Sequence, residues 1–205
     1  MSVQLVRVKC GDETGGRFAE RVGNDEISLS GFGIDATGNT VALPPFSVYA
    51  HFDDGEVKEY SPPQTILTLG VPNAGTFPKT CVVSFILAEI DSGGLSEVAE
   101  KAVAKVTEQL TFRKQLMGGG ANFLDIDWGA VWGEVRPILY GYVKDLIALG
   151  FADDIFPPQD VSVVIASPDF HWGDGTKLSP EETVEFRGHD GVYYLTYYWE
   201  IQTVA

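Results

Sequence analysis

Two cysteines in 205 residues, Cys10 and Cys81, are too few for a disulfide scaffold. Basic residues are also scarce: 14 Lys and Arg stand against 29 Asp and Glu, a formal net charge of −15. That balance argues against nucleic acid as a partner, because phosphate binding needs clustered cations. It disfavours adhesion to anionic lipid for the same reason. No run of about 18 uncharged apolar residues occurs, so no transmembrane anchor of the ordinary helical kind is expected. The first ten residues, Met1 to Cys10, lack the apolar core and small-residue cleavage site of a signal peptide. The expectation is a protein that is cytoplasmic at synthesis, with any release following another route. Gly-x-Ser-x-Gly elbows, phosphate-binding glycine loops and tight His/Cys zinc spacings are missing as well.

What is present is a normal globular composition, 44% hydrophobic and 21% charged. The length suits one or at most two domains. Strand-like runs rich in Val, Ile, Phe, Tyr and Thr fall at 3–10, 26–34, 45–52, 64–69 and 80–90. The run from Cys81 to Ala88 is almost continuously apolar, which predicts a central strand buried on both faces. The period then changes. Apolar residues at 95, 98, 99, 102, 103, 106 and 110 predict a helix, with Ser96 as N-cap, a Glu97–Lys101 pair, and an end near Met117 before three glycines. A second helical pattern spans 128–149, with Pro137 expected to kink it or start a new segment and Gly150 as C-cap. Strands return at 161–166, 183–187 and 192–203. The fold predicted is mainly β with an α insertion. It is a single domain, an antiparallel β-sandwich of about eight strands from 1–92 and 158–205, carrying a two-helix hairpin at 93–157.

If successive strands run up and down, the acids separate. One end collects residues such as Asp12, Glu13, Asp25, Asp53, Asp54, Glu56, Glu89, Asp91, Asp153, Asp154, Asp160 and Asp190. The other collects Asp35, Asp169, Asp174, Glu181 and Glu182. Crowded carboxylates repel unless a cation sits among them, and Ca²⁺ suits oxygen ligands delivered from several loops. Glu89 and Asp91 are two apart and face the same way in extended chain. The candidate metal ligands are therefore Asp12, Asp25, Glu89, Asp91 and Asp53. Asp53-Asp54-Gly55 also reads as a plain hairpin turn with no metal.

These residues carry a resemblance. Asp12, Asn24-Asp25-Glu26 and Glu89-Ile90-Asp91, on an eight-stranded sandwich, resemble a C2 domain of the circularly permuted topology. More generally the chain resembles small bacterial β-sandwich proteins. The C2 resemblance implies Ca²⁺ between the corresponding loops and docking on a membrane. The long helical insertion, Glu at 89 and the absence of a basic strand for lipid head groups depart from that family.

Other features have two readings each. His189-Asp190 reads as a turn before the last strand rather than a catalytic pair. His171-Trp172-Gly173-Asp174 is either a ligand-facing loop or packing. Tyr193, Tyr197 and Trp199 share one face of the last strand, as core or as an exposed row for sugar or protein. The amphipathic hairpin either packs on the sandwich or is stored for a membrane, though both helices are openly charged. The leading function is a non-enzymatic binding module whose acidic, Ca²⁺-binding end engages a membrane, glycan or protein partner. The alternatives are a toxin-like membrane-active protein that deploys the hairpin, and a hydrolase without a recognisable motif. Cys10 and Cys81 should lie at opposite ends and remain unbridged.

Overall fold

Alternation of apolar and polar residues decides which face each strand buries. In the computed structural model of the chain, residues 1–14, 25–90, 94–117, 122–148, 154–173 and 175–202 are described. Nine strands form among them: β1 (Ser2–Asp12), β2 (Asp25–Ile34), β3 (Thr40–Phe52), β4 (Val57–Thr68), β5 (Lys79–Glu89), β6 (Asp154–Ile155), β7 (Gln159–Ile165), β8 (Glu182–Gly188) and β9 (Gly191–Glu200). Two helices, α1 (Leu95–Leu116) and α2 (Trp128–Ala148), follow β5. One antiparallel sheet has the order β4-β1-β9-β8. In the other, β3, β2 and β5 are neighbours, and β6 and β7 pair with successive stretches of β5. This is the predicted sandwich with its inserted hairpin.

The interior is built from alternate residues of the central strands, odd-numbered in β2, β5 and β9, while β1 gives Val3 and Leu5 and then, past a register shift, Val8 and Cys10. Ile27 and Leu29, Cys81, Val83, Phe85 and Leu87, and Tyr193, Leu195, Tyr197 and Trp199 are all buried between the sheets. The last strand is therefore core on that face, while Tyr194 and Tyr198 on the other are half-buried. Phe52 and Phe156 each meet Tyr193 edge to face, with ring centroids 5.6 Å apart. The outer face of β2 and β5 carries Phe32, Ile34, Val82, Ile86 and Ala88, and these are covered by the helices. Val98, Ala102 and Val106 of α1 and Trp128, Val135, Leu139 and Val143 of α2 supply the cover. Both faces of β5 are thus apolar, which is why its sequence reads as an unbroken run.

Several expectations are corrected. β3 and β4 are longer than the predicted 45–52 and 64–69, running through Pro44-Pro45 and Pro62-Pro63. Proline lacks an N–H for the ladder, yet each of these strands is the edge of its sheet, where only one side must pair. Residues 57–60 belong to the same strand as 64–68, so the up-and-down order survives. The first helix starts at Leu95 with Gly94 as N-cap, not Ser96. Leu95 is buried, so packing draws the helix start ahead of the better capping residue. Pro137 lies within one continuous helix. Its neighbours Gly133 and Arg136 are exposed, so the carbonyl it deprives of a partner lies on a wetted face. β structure resumes at Asp154, ahead of the predicted 158, where Asp154 and Ile155 pair with Glu89 and Ala88. The Glu97–Lys101 ion pair forms as expected at 2.6 Å. Gly118 to Gly120 and Gly150 lie outside the described residues.

Asp160 was placed among the acidic loops by sequence, but it sits on β7 beneath α2, opposite Ser84 of β5. Its Oδ2 accepts from Trp132 Nε1 at 3.1 Å and from Arg136 Nε at 2.9 Å. It thereby ties α2 to the sheet. Burial pushes its carboxyl above the ordinary carboxylate value, offset in part by Ser84, Trp132 and Arg136. Ser84 Oγ and Asp160 Oδ1 are buried and fall short of full hydrogen-bond geometry. A folded-state pKa above the unfolded one means the folded chain holds the proton longer, so this contribution to stability falls as pH rises. Urea unfolding of the wild type and Asp160→Asn across the carboxylate range should show the wild type losing ground to the variant with rising pH. A difference independent of pH would refute the assignment.

Candidate functional site

Chain direction brings five segments to one end of the sandwich: the end of β1, the start of β2, the β3–β4 turn, the junction of β5 with β6, and the β8–β9 turn. Asp25 opens β2 and is 5% exposed. Its Oδ2 accepts from Thr14 N at 2.7 Å, Thr14 Oγ1 at 3.0 Å and the Tyr193 hydroxyl. Burial and the Asp25 charge hold the Tyr193 hydroxyl far above its ordinary pKa, so it stays a donor. The backbone N–H of Glu13 donates to Asp54 Oδ1 at 3.0 Å, linking the first loop to the β3–β4 turn.

Asp53-Asp54-Gly55 forms a tight turn, as its residues suggest, but it joins the two sheets and is not a hairpin, because β3 and β4 do not pair. Glu56 N donates to Asp53 O at 2.9 Å, Gly55 takes φ of 81°, and Asp53 Oδ1 accepts from Asp54 N at 2.9 Å. Gly55 N reaches Cys10 O at 3.2 Å, which seats the turn on β1. Glu89 lies opposite Ile27 on one side and Asp154 on the other. His189 Nδ1 is 3.1 Å from Asp154 Oδ1, and its Nε2 is 3.1 Å from Ile155 O. His189 and Asp190 have φ of 51° and 63°, the two positive values of a two-residue hairpin turn. The turn reading of this pair therefore holds, and the histidine also fastens β6.

Of the five candidate ligands, Asp12, Asp25, Asp53 and Glu89 come to this one end, and Asp91 lies outside the described residues, as does Asp153. Asp25 and Asp53 already accept from the loop backbone, whereas Asp12 is an exposed residue at the end of β1. Among the described residues, no group of three or more His, Cys, Asp or Glu side chains is placed to hold a metal ion. Cys10 and Cys81 are free, buried, and in different sheets at opposite ends. Burial pushes both thiols up to about 12, which keeps them protonated at neutral pH.

At the far end of the sandwich lies a cleft of about 560 Å³. The ends of β4, β7 and β9 form it, with Leu69, Ile165 and Ile201 as floor and Phe77 and Phe170 as half-buried aromatic walls. Asn73, Asp169, His171, Lys177 and Gln202 give it a polar rim. His171 Nδ1 lies 2.8 Å from the Asp169 carbonyl oxygen. Sequence reasoning flagged His171 and Trp172 but missed the rest, which come from separate stretches with no shared motif. Asp174 lies outside the described residues. Among those described, no helix is long and apolar enough to cross a membrane. No protein-family model, curated protein or solved structure matches the chain.

Proposed function

We propose that the chain is a non-enzymatic binding module whose acidic end takes Ca²⁺ and engages a membrane, glycan or protein surface there. The observation that supports this reading is the meeting of Asp12, Asp25, Asp53, Asp54 and Glu89 from separate segments at one end. The donors named are all carboxylates, which fit a hard cation. Exposed Asp12 is the ligand best able to turn to an ion without breaking the loop. The resemblance to the permuted C2 topology points the same way.

Melting the full chain in EGTA and then in millimolar Ca²⁺ tests it. A ligand present at about 100 times its Kd adds roughly 2.7 kcal/mol. For a chain of this size that raises Tm by about 5–10 °C. Asp12→Asn should flatten the Ca²⁺ response and leave the melt in EGTA unchanged. Coincident wild-type melts in EGTA and Ca²⁺ would remove the cation from the reading.

A further inference from the structure

The cleft at the far end has its own chemistry. At about 560 Å³ it lies within the roughly 300–1,000 Å³ of small-molecule sites. Its floor is aliphatic, and Phe77 and Phe170 are half-buried, so each ring keeps part of its surface free. Such a surface suits a ligand with an apolar face and a polar edge.

Three backbone donors at the cleft are already used. Leu69 N donates to Met1 O at 2.7 Å, Phe170 N to Ser167 O at 3.1 Å, and Ile201 N to Lys177 O at 2.8 Å. β4 and β7 reach the cleft only with their last residues, Thr68 and Ile165, so a peptide added along either strand would run away from it. Polar recognition within the cleft falls to side chains. The rim mixes one acid, Asp169, with one base, Lys177, and the amides of Asn73 and Gln202. That mixture favours a neutral ligand with many hydroxyls over an ion of either sign. The Asp169 carbonyl can only accept, so His171 Nδ1 carries the proton and a neutral ring presents Nε2 as an acceptor.

A second hollow of about 460 Å³ adjoins the same loop, lined by Trp172, Thr176, Leu178 and Ser179. Phe170 and Trp172 stand between the two, edge to face at 5.1 Å. Two hollows with an aromatic pair at their junction suit a chain of units better than a single small molecule.

We propose that this cleft binds a neutral oligosaccharide, with sugar faces on Phe77 and Phe170 and hydroxyls held by Asn73, Asp169, His171 and Gln202. The inference rests on the binding-module reading but not on Ca²⁺, because the acids lie at the opposite end.

The test is calorimetric titration of the full chain, in EGTA, with short cello-, xylo-, malto- and chito-oligosaccharides. Saturable binding of at least one is expected. Phe170→Ala and Asp169→Asn should each weaken it about tenfold or more, some 1.4 kcal/mol. Asp169 is exposed, so its variant carries the test if Phe170→Ala unfolds. No saturable heat with any of these sugars would overturn the proposal, as would affinity unchanged in both folded variants. Binding that appears only when Ca²⁺ is restored would also overturn it, by moving the ligand to the acidic end. A flat Ca²⁺ melt alongside intact sugar binding would refute the cation and leave the cleft standing.

Discussion

Asp25→Ala is expected to cost about 3–5 kcal/mol of unfolding free energy, the range for removing one partner from a buried charged network. The carboxylate is the shared acceptor for Thr14 N, Thr14 Oγ1 and the Tyr193 hydroxyl. Alanine leaves all three donors unanswered, and Tyr193 is fully buried, so water cannot replace the acceptor there without opening the core. Tyr193→Phe removes a single hydrogen bond to a charged group and should cost less, about 1.5–3 kcal/mol. Urea unfolding in EGTA is the measurement. The loss must appear without Ca²⁺, because the network is protein alone. A loss below about 1 kcal/mol for Asp25→Ala would mean that the three donors find other acceptors. A loss confined to Ca²⁺-containing buffer would mean that the residue acts through the ion.

Gly31→Ala should be as damaging through sterics. Gly31 lies in β2 between β3 and β5 with φ of +148°, and a Cβ there would stand 2.1 Å from the Ser84 carbonyl oxygen and 3.2 Å from Phe85 Cα. Both obstacles are backbone of the central strand, so no side chain can swing aside. Overpacking a core by one carbon typically costs about 1–3 kcal/mol, and a clash with a sheet backbone belongs at or above the top of that range. Gly133→Ala is the control. Its Cβ meets nothing within 4 Å, and it lies in the exposed face of α2. Helix propensity should make that variant equal to or up to about 1 kcal/mol more stable than the wild type. Equal unfolding midpoints for the two alanine variants would contradict the β2–β5 register.

The central parts of this fold were legible because single local forces decide them. β5 is covered on both faces, and its sequence says so through an unbroken apolar run. The helices carry 3.6-residue stripes because one side meets Phe32, Val82 and Ile86. His189-Asp190 reads as a turn because Gly188 and Gly191 flank it and the last strand follows at once. Legibility failed where two forces compete. Pro44-Pro45 and Pro62-Pro63 argue locally against strand, and edge position together with a break in the ladder at each pair removes the objection. Ser96 is the better cap by chemistry, and the burial of Leu95 outweighs it. Asp160 looks like one more surface acid, because nothing in its neighbours announces that Trp132 and Arg136 come from another element to meet it. The acidic end could be sorted from strand order alone. The cleft could not, since Leu69, Phe77, Phe170 and Ile201 become neighbours only after both sheets have closed.

The two proline pairs have a consequence for behaviour in crowded solution. β3 and β4 each form one outer strand of a sheet, 13 and 12 residues long, and long rims of this kind invite copies of a chain to zip together. Each rim is interrupted near its middle by two adjacent residues that cannot donate a hydrogen bond. A second molecule laid along either rim would find its ladder broken into short pieces. The same prolines that argue locally against strand thus blunt two of the open rims, and the ladders to β1 and β2 absorb them as irregularities between Leu5 and Arg7 and between Leu29 and Gly31.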